Sequence, residues 1–138
     1  MKKSLFVLTF AAFLLVSCAS GENSAALLNS TRWELLYINK SEPISGRAVT
    51  IEFENWEVRG SAGCNSYFGS YDVKGDRISF DMLAMTEMAC LEPEGLMDQE
   101  QAYLQFLSEV ESFILDDGQL LLKKAVQEQL TFIPAQPK

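Results

Sequence analysis

The sequence has 138 residues, a formal net charge of −8 at pH 7 and no histidine. An acidic chain repels phosphate backbones and anionic lipid surfaces, so nucleic acid is not an expected partner. The absence of histidine removes the usual general base near neutral pH, the Ser-His-Asp and Cys-His arrangements and every imidazole metal site. No glycine loop followed by lysine is present to hold phosphate. We therefore expect a protein that is not an enzyme and that has no cofactor and no metal site.

Residues 1–17 have the form of a secretory signal peptide. Lys2 and Lys3 precede an apolar run over residues 5–16, which is too short to span a bilayer as a mature helix. The run ends at Leu-Val-Ser-Cys18, which resembles the lipobox of bacterial lipoproteins. The resemblance implies that Cys18 carries acyl chains, palmitate among them, and anchors the protein in the bacterial cell envelope. The alternatives are an ordinary signal peptide cleaved nearby and a buried helix.

The residues after Cys18 predict where the protein goes and how the chain is divided. Ala19, in place of Asp, predicts the outer membrane under enteric-type sorting. Residues 18–30 are small and polar, as expected of a lipidated N-terminus and a tether. We expect one monomeric domain over residues 31–133 and a short tail over residues 134–138.

Cys64 and Cys90 form a candidate disulfide, because lipidation of Cys18 leaves them as a pair in an oxidising compartment. The chain-entropy model gives about 3.5 kcal/mol for an unstrained bridge across this loop. Two buried thiols packed as small hydrophobic groups are the alternative. A redox-active pair is disfavoured, because the charges nearest to Cys90 are those of Glu87 and Glu92, and a reactive thiol needs an electropositive setting.

Short segments with alternating hydrophobicity predict eight strands. Val49, Ile51 and Phe53 alternate with polar residues, which is typical of a strand with one buried face. The aromatic residues of the first strand share a face with Leu35, while its other face is apolar too. The predicted strands cover residues 33–38, 49–54, 57–61, 71–73, 78–80, 112–115, 119–123 and 129–133.

One helix is predicted over residues 95–110. Its apolar residues recur at spacings of three and four, and they are Leu96, Tyr103, Phe106, Leu107 and Val110. About eight short strands and one helix predict a mainly β (α+β) fold, a small antiparallel β-barrel-like or strongly rolled sheet with the helix packed on it. Closure of the sheet would remove its exposed edges.

The stretch from residue 60 to residue 90 carries two motifs that resemble the signature of the META domain, the HslJ family of bacterial envelope proteins. The motif residues are Gly60, Gly63, Cys64, Asn65, Gly69 and Tyr71, followed by Met85, Thr86, Met88 and Cys90. Flanking residues that agree with the family are Trp33, Leu35, Glu100, Phe106, Leu130 and Phe132. The resemblance covers residues 31–133. It implies a small mostly-β barrel-like domain with one helix, frequent lipoprotein status, and links to heat-shock response, novobiocin resistance and, in some parasites, virulence and secretion. It brings no established catalytic residues.

The motif residues have two interpretations each. The glycines allow positive φ or close backbone approach, and Asn65 suits a turn that its own side chain satisfies; the alternative is the rim of a binding site. Met82, Met85 and Met88 are expected to fill the core beneath the helix. Their alternative is a soft Cu(I) site.

Two functions are compatible with the sequence. The first is a non-catalytic, membrane-anchored interaction or stress-tolerance module that contacts an envelope protein partner. The alternative is a lipocalin-like binder of a small apolar ligand, although the many phenylalanines favour an interior filled with side chains.

Overall fold

In a computed structural model that describes residues 23–125 and 127–136, eight antiparallel strands close into a barrel. Every strand pairs with the next one in the chain, and β1 pairs with β8 to complete the closure. The predicted barrel-like fold is confirmed, with eight strands and a fully closed sheet. The strands are β1 (Thr31–Ile38), β2 (Thr50–Glu54), β3 (Glu57–Ser61), β4 (Ser66–Lys74), β5 (Arg77–Met85), β6 (Ser112–Asp116), β7 (Gln119–Ala125) and β8 (Glu128–Pro134). The helices are α1 (Asn23–Leu28) and α2 (Leu96–Ser108).

The interior of the barrel is filled by side chains. Residues that alternate inward from every strand join one apolar cluster, in which Ile51, Phe53, Leu122 and Phe132 have no exposed surface. An eight-stranded barrel encloses just enough space for such side chains. Each large apolar side chain that is fully buried contributes about 1.5–3 kcal/mol. The barrel interior is therefore the hydrophobic core of the domain.

Three register shifts interrupt the pairing of the strands, on β1, on β4 and, between Lys123 and Ala125, on β7. The first shift lies between Leu35 and Tyr37; Ile38 beyond it packs against the core, and Tyr37 is half-buried. A second shift, between Phe68 and Ser70 on β4, lies opposite Met82 on β5. The predicted strands missed the first half of β4 and the second half of β5, because these bulged segments do not alternate regularly.

The prediction that three methionines fill the core beneath the helix is wrong. Met82, Met85 and Met88 expose 82%, 40% and 55% of their surface. Met82 is left without a strand partner at the bulge and has a φ of 53°, which turns it outward. Met88 follows the end of β5. The side chains buried beneath the helix include Tyr103, Phe106 and Leu107 of α2.

α2 begins after Gly95, whose φ of 81° suits glycine, and it ends at Ser108. The predicted apolar stripe is confirmed as the buried face. Glu100 lies on the same face and is also buried, which the periodicity did not predict. The helix connects β5 to β6, which pair only through Arg77 and Ser112. It covers the end of the barrel at which β4 begins.

α1 packs at the other end of β4. Residues 18–30 are predicted to form a tether, whereas residues 23–28 form a helix in which Leu28 is fully buried. The Ser30 N–H donates to the Phe53 carbonyl at 2.8 Å and fixes the helix to β2. The predicted signal peptide, Cys18, the predicted tether up to residue 22 and the last two residues of the predicted tail lie outside the described residues. Neither described helix is long and apolar enough to cross a membrane.

Candidate functional site

The predicted disulfide between Cys64 and Cys90 is confirmed. The two Cα atoms are 5.9 Å apart and the sulfurs are bonded. The bridge joins the loop between β3 and β4 to the segment that follows β5. Both segments of the sequence motif therefore meet at the end of the barrel covered by α2.

Asn65 organises this end of the barrel through its side chain. Its Oδ1 accepts hydrogen bonds from the Thr86 hydroxyl at 2.7 Å and from the Met88 N–H at 2.7 Å. Its Nδ2 donates to the Met88 carbonyl at 3.0 Å and to Glu100 Oε1 at 2.7 Å. The side chain thus reaches residues distant in sequence, in contrast to the local turn predicted for it. All four of its hydrogen-bonding positions are used.

Glu100 completes the cluster from α2. Its Oε2 accepts from the Asn65 N–H at 2.6 Å and from the Cys64 N–H at 3.2 Å. The residue is 1% exposed, so these donors replace the water that its carboxyl group loses on folding. We name the hydrogen-bonded set of Cys64, Asn65, Thr86, Met88 and Glu100 the Asn65 network.

Three glycines of the motif lie where a side chain would collide with a neighbouring segment of the chain. A Cβ on Gly60 would lie 1.9 Å from the Thr50 carbonyl oxygen, which no side chain can accommodate. Gly63 has a φ of 119°, and a Cβ there would lie 2.8 Å from Leu96 at the start of α2. Gly69 lies at the register shift, where a Cβ would meet the Asp81 carbonyl oxygen at 2.8 Å. The glycines are fold determinants, as the first of their two interpretations expected.

A pair of tyrosines links the barrel interior to α2. The Tyr67 hydroxyl donates to the Thr50 carbonyl at 2.9 Å, so the Tyr103 hydroxyl, 2.8 Å away, donates to Tyr67. Burial raises the pKa of both phenols, that of Tyr67 well above its usual value. Both side chains are therefore neutral at physiological pH. The sequence does not predict this pair, although the periodicity of the helix places Tyr103 on its buried face.

Tyr71 is the aromatic residue among the motif residues, and it lies at the opposite end of β4. Its ring is buried and packs edge-on against Phe53, with 5.0 Å between ring centroids. Trp56, in the turn between β2 and β3, lies over its other side at 5.8 Å. Tyr71 is therefore distant from the Asn65 network, and the motif residues divide between the two ends of the barrel.

The Asn65 network has the properties of a structural element. Its hydrogen-bond donors and acceptors are paired with one another, and Cys64 is bonded to Cys90. Within residues 23–125 and 127–136, no group of three or more histidine, cysteine, aspartate or glutamate side chains is arranged to hold a metal ion. The motif residues at this end join two loops to α2 and make that end of the barrel rigid.

A groove of about 600 Å³ lies on the outer side of α2, next to this rigid end. Met85, Met97 and Leu104 supply its apolar surface, and Asp98 and Gln101 are among its polar residues. Glu100 also lines it. We name this surface the methionine groove. It was not predicted, because the exposure of Met85 and Met97 depends on how α2 packs against β5.

Comparison with known proteins agrees with the fold and the motifs. The META domain family matches residues 26–137, while no curated protein matches the chain. An NMR structure of a protein from Burkholderia xenovorans is 24% identical, covers 95% of this chain and 100% of its own, and has a TM-score of 0.66. A second NMR structure, also 24% identical, covers 80% of this chain and 94% of its own, with a TM-score of 0.67.

A more distant solved structure has the same fold. The crystal structure of a DUF4847 family protein from Bacteroides vulgatus is 12% identical, covers 82% of this chain and 98% of its own, and has a TM-score of 0.55. These likenesses concern the fold alone. With the family match extending over nearly all the described residues, the chain belongs to the META domain family.

Proposed function

We propose that the protein is a non-catalytic interaction module, anchored by acyl chains on Cys18 in the bacterial outer membrane, that binds a cationic amphipathic segment of an envelope protein partner. The observation that carries the proposal is the methionine groove on an acidic end of the barrel. A stress-tolerance role, of the kind that the family resemblance implies, would operate through this partner.

The groove offers the kind of surface on which amphipathic segments dock. Met85 exposes 40% and Met97 37% of its surface, and unbranched methionine side chains adapt to different apolar partners. Leu91, just after the disulfide, exposes 88%. Met88 is exposed on the neighbouring segment. Apolar surface grouped at one place marks an interaction site more often than scattered single residues do.

The charge around the groove specifies the sign of the partner. Between Ile78 and Leu122 the sequence has ten aspartates and glutamates and no lysine or arginine. Asp98 lines the groove, and Glu87, Glu92 and Glu94 are exposed on the segment that leads into α2. Such a field attracts cations and repels acidic segments. A partner that buries apolar side chains here must therefore carry positive charges around them.

The groove rests on a rigid base. The inward face of α2 is held by two hydrogen-bonding side chains: Glu100 accepts from Asn65 in the loop between β3 and β4, and Tyr103 bonds to Tyr67 of β4. The disulfide fixes the segment that carries Met88. A preformed surface loses less conformational entropy on binding than a mobile one. The motif residues therefore support the interaction surface without being part of it.

Anchoring at Cys18 would point the groove away from the membrane. The chain enters the domain through α1, which lies beside Val73 of β4, whereas α2 covers Tyr67 on the same strand. These two β4 residues are about 20 Å apart along the strand. α1 and the methionine groove therefore lie at opposite ends of the barrel, and an anchor ahead of α1 would leave the groove accessible to a partner in the aqueous compartment.

The non-catalytic assignment is supported by the site chemistry. The sequence has no histidine, and both buried tyrosines are kept neutral by the raised pKa values of their phenols. The alternative function, binding of an apolar ligand inside the barrel, is disfavoured because inward side chains form a packed core there.

Photo-crosslinking in intact cells tests the proposal. A photo-reactive phenylalanine replaces Met97 in the groove or, as a matched control, Ile114 on β6, which is 41% exposed. We expect a reproducible crosslinked protein from position 97, absent from position 114 and lost when Cys18→Ala removes the anchor. Identical crosslinks from both positions, or none from position 97, would contradict the proposal.

A further inference from the structure

The turn between β2 and β3 holds a tryptophan where the backbone favours glycine. Asn55 and Trp56 have φ values of 49° and 68°, and Glu54 pairs with Glu57 on either side. Positive φ at both central residues is the type I′ pattern, for which Asn-Gly is the preferred sequence. A bulky residue in this conformation is an outlier. Its side chain is 56% exposed, so burial does not offset the strain.

Trp56 is held beside the point at which the chain enters the domain. It lines a groove of about 480 Å³ together with Ala25 and Ala26 of α1. The Asn55 N–H donates to Asn29 Oδ1 at 2.8 Å, which ties the turn to the end of α1. Leu28 secures the helix in the core, while Leu27 next to it exposes 56% of its surface. The position of Trp56 relative to α1 is therefore fixed.

The length of chain before α1 limits how far this turn can lie from an anchor. Asn23 is five positions after Cys18, and five residues span at most about 18 Å when fully extended. Acyl chains on Cys18 would therefore hold α1 close to the lipid headgroups. A tryptophan with an apolar ring and a polar N–H suits that interface.

From these relationships, and resting on the proposed anchoring through Cys18, we infer that Trp56 contacts the lipid surface and sets the orientation of the barrel on the membrane. The groove residues are uncharged, whereas Glu54 and Glu57 flank the turn. The contact therefore suits zwitterionic headgroups and not anionic ones. It places the methionine groove, at the other end of the barrel, farthest from the bilayer.

Fluorescence of the acylated mature protein in phosphatidylcholine–phosphatidylethanolamine vesicles tests this inference. The protein has two tryptophans, and Trp33 is buried, so subtracting the spectrum of Trp56→Phe isolates Trp56. We expect its emission to shift to shorter wavelength in vesicles and to be strongly quenched by brominated phospholipid. The matched control is Trp56→Phe combined with Leu91→Trp, which moves an exposed indole to the α2 end and should show neither effect.

Three results would overturn the inference, and each has a different meaning. Protein that floats with the vesicles while Trp56 keeps its water-exposed emission would leave the anchor intact and remove the lipid contact. Protein that stays out of the vesicles would reject the anchor as well. Shielded Trp56 emission in purified Cys18→Ala protein without vesicles would show that contacts within the protein, such as that with Tyr71, shield the indole in place of lipid.

Trp56→Gly separates a functional role from a structural one. Glycine adopts the turn conformation without strain, so the urea midpoint of the variant should equal or exceed that of the unmodified protein, while the vesicle-dependent signal is lost. A clearly lower midpoint would show that Trp56 serves the fold, and would overturn the inference.

Discussion

Asn65 and Glu100 contact each other twice, although 35 positions separate them in the chain. One Glu100 oxygen accepts the Asn65 backbone N–H at 2.6 Å, and the other accepts its side-chain amide at 2.7 Å. The carboxyl group thus holds both the position and the orientation of Asn65. Because Asn65 Oδ1 is occupied by Thr86 and Met88, rotation of the amide would break two other hydrogen bonds.

This relationship predicts that Glu100→Gln destabilises the domain by about 2–3 kcal/mol, because the new amide group faces a donor on Asn65 and leaves buried groups unpaired. Asn65→Asp should cost a similar amount, because two acceptors then face each other. The measurement is the free energy of unfolding in urea. The control is Glu109→Gln at the C-terminal cap of the same helix, which alters only surface interactions with Lys124 and Gln105 and should cost less than about 1 kcal/mol.

Combining the two substitutions gives a sharper test of the same contact. In the double variant the amide at position 100 can donate to the carboxylate at position 65, so the total loss should be smaller than the sum of the single losses by about 1 kcal/mol or more. Strict additivity would show that the two side chains do not interact as described.

Removing the disulfide should weaken the same end of the barrel. Cys64→Ala with Cys90→Ala is expected to lower the free energy of unfolding by about 3.5 kcal/mol, because the unfolded chain regains the entropy of an open loop. The urea midpoint measures this loss. Adding a reductant should lower the midpoint of the unmodified protein towards that of the variant and leave the variant unchanged; a midpoint insensitive to both changes would contradict the predicted contribution.

The tyrosine pair predicts a loss of stability in alkali. The pKa values of Tyr67 and Tyr103 are raised in the folded state by burial, so the folded protein binds their protons more tightly than the unfolded chain does. The resulting stability is fully present below about pH 10, the usual phenol pKa, and is lost as pH rises above it. Unfolding free energies measured from pH 8 upward should fall more steeply for the unmodified protein than for Tyr67→Phe with Tyr103→Phe. Equal slopes would refute this assignment.

Gly60 should be intolerant of any side chain. In Gly60→Ala the new Cβ would lie 1.9 Å from the Thr50 carbonyl oxygen and 2.9 Å from the Tyr67 hydroxyl, so β3 must move away from β2 and from the Tyr67 hydroxyl. We expect a loss of about 3 kcal/mol or more, as for an overpacked core site. Gly75→Ala, at an open turn with a φ of 66°, should lose only about 1 kcal/mol. Thermal unfolding of the two variants provides the comparison, and equal losses would disprove the close-approach argument.

Sequence patterns predicted the elements that depend on local periodicity. Alternation identified the barrel strands, and the spacing of Tyr103, Phe106 and Leu107 identified the buried face of α2. Periodicity does not predict the bulge at Met82, because a single extra residue reverses the direction of the side chains that follow. The predicted core position of the methionines failed for this reason.

The site was only partly predictable. The motif residues and the disulfide pair were identified, but the partners of Asn65 were not, because a hydrogen bond to Glu100 depends on how α2 packs over the barrel. Glu100 was noted only as a flanking residue of the family pattern. The methionine groove and the strained Trp56 turn likewise arise from tertiary packing and backbone conformation, which periodicity does not encode.

NMR of the methionine methyl groups tests the central claim most directly, namely that the methionine groove binds cationic amphipathic segments. A synthetic helix of leucine and lysine is titrated into mature protein labelled at its methionine methyls, with a leucine–glutamate helix as the control peptide. We expect the signals of Met85 and Met97 to shift saturably with the cationic peptide alone, and less at about 1 M salt, where the Debye length is about 3 Å. Met82, 82% exposed at the bulge and outside the groove residues, should stay unchanged. Equal shifts of Met82 and Met97, or no shift with the cationic peptide, would contradict this claim.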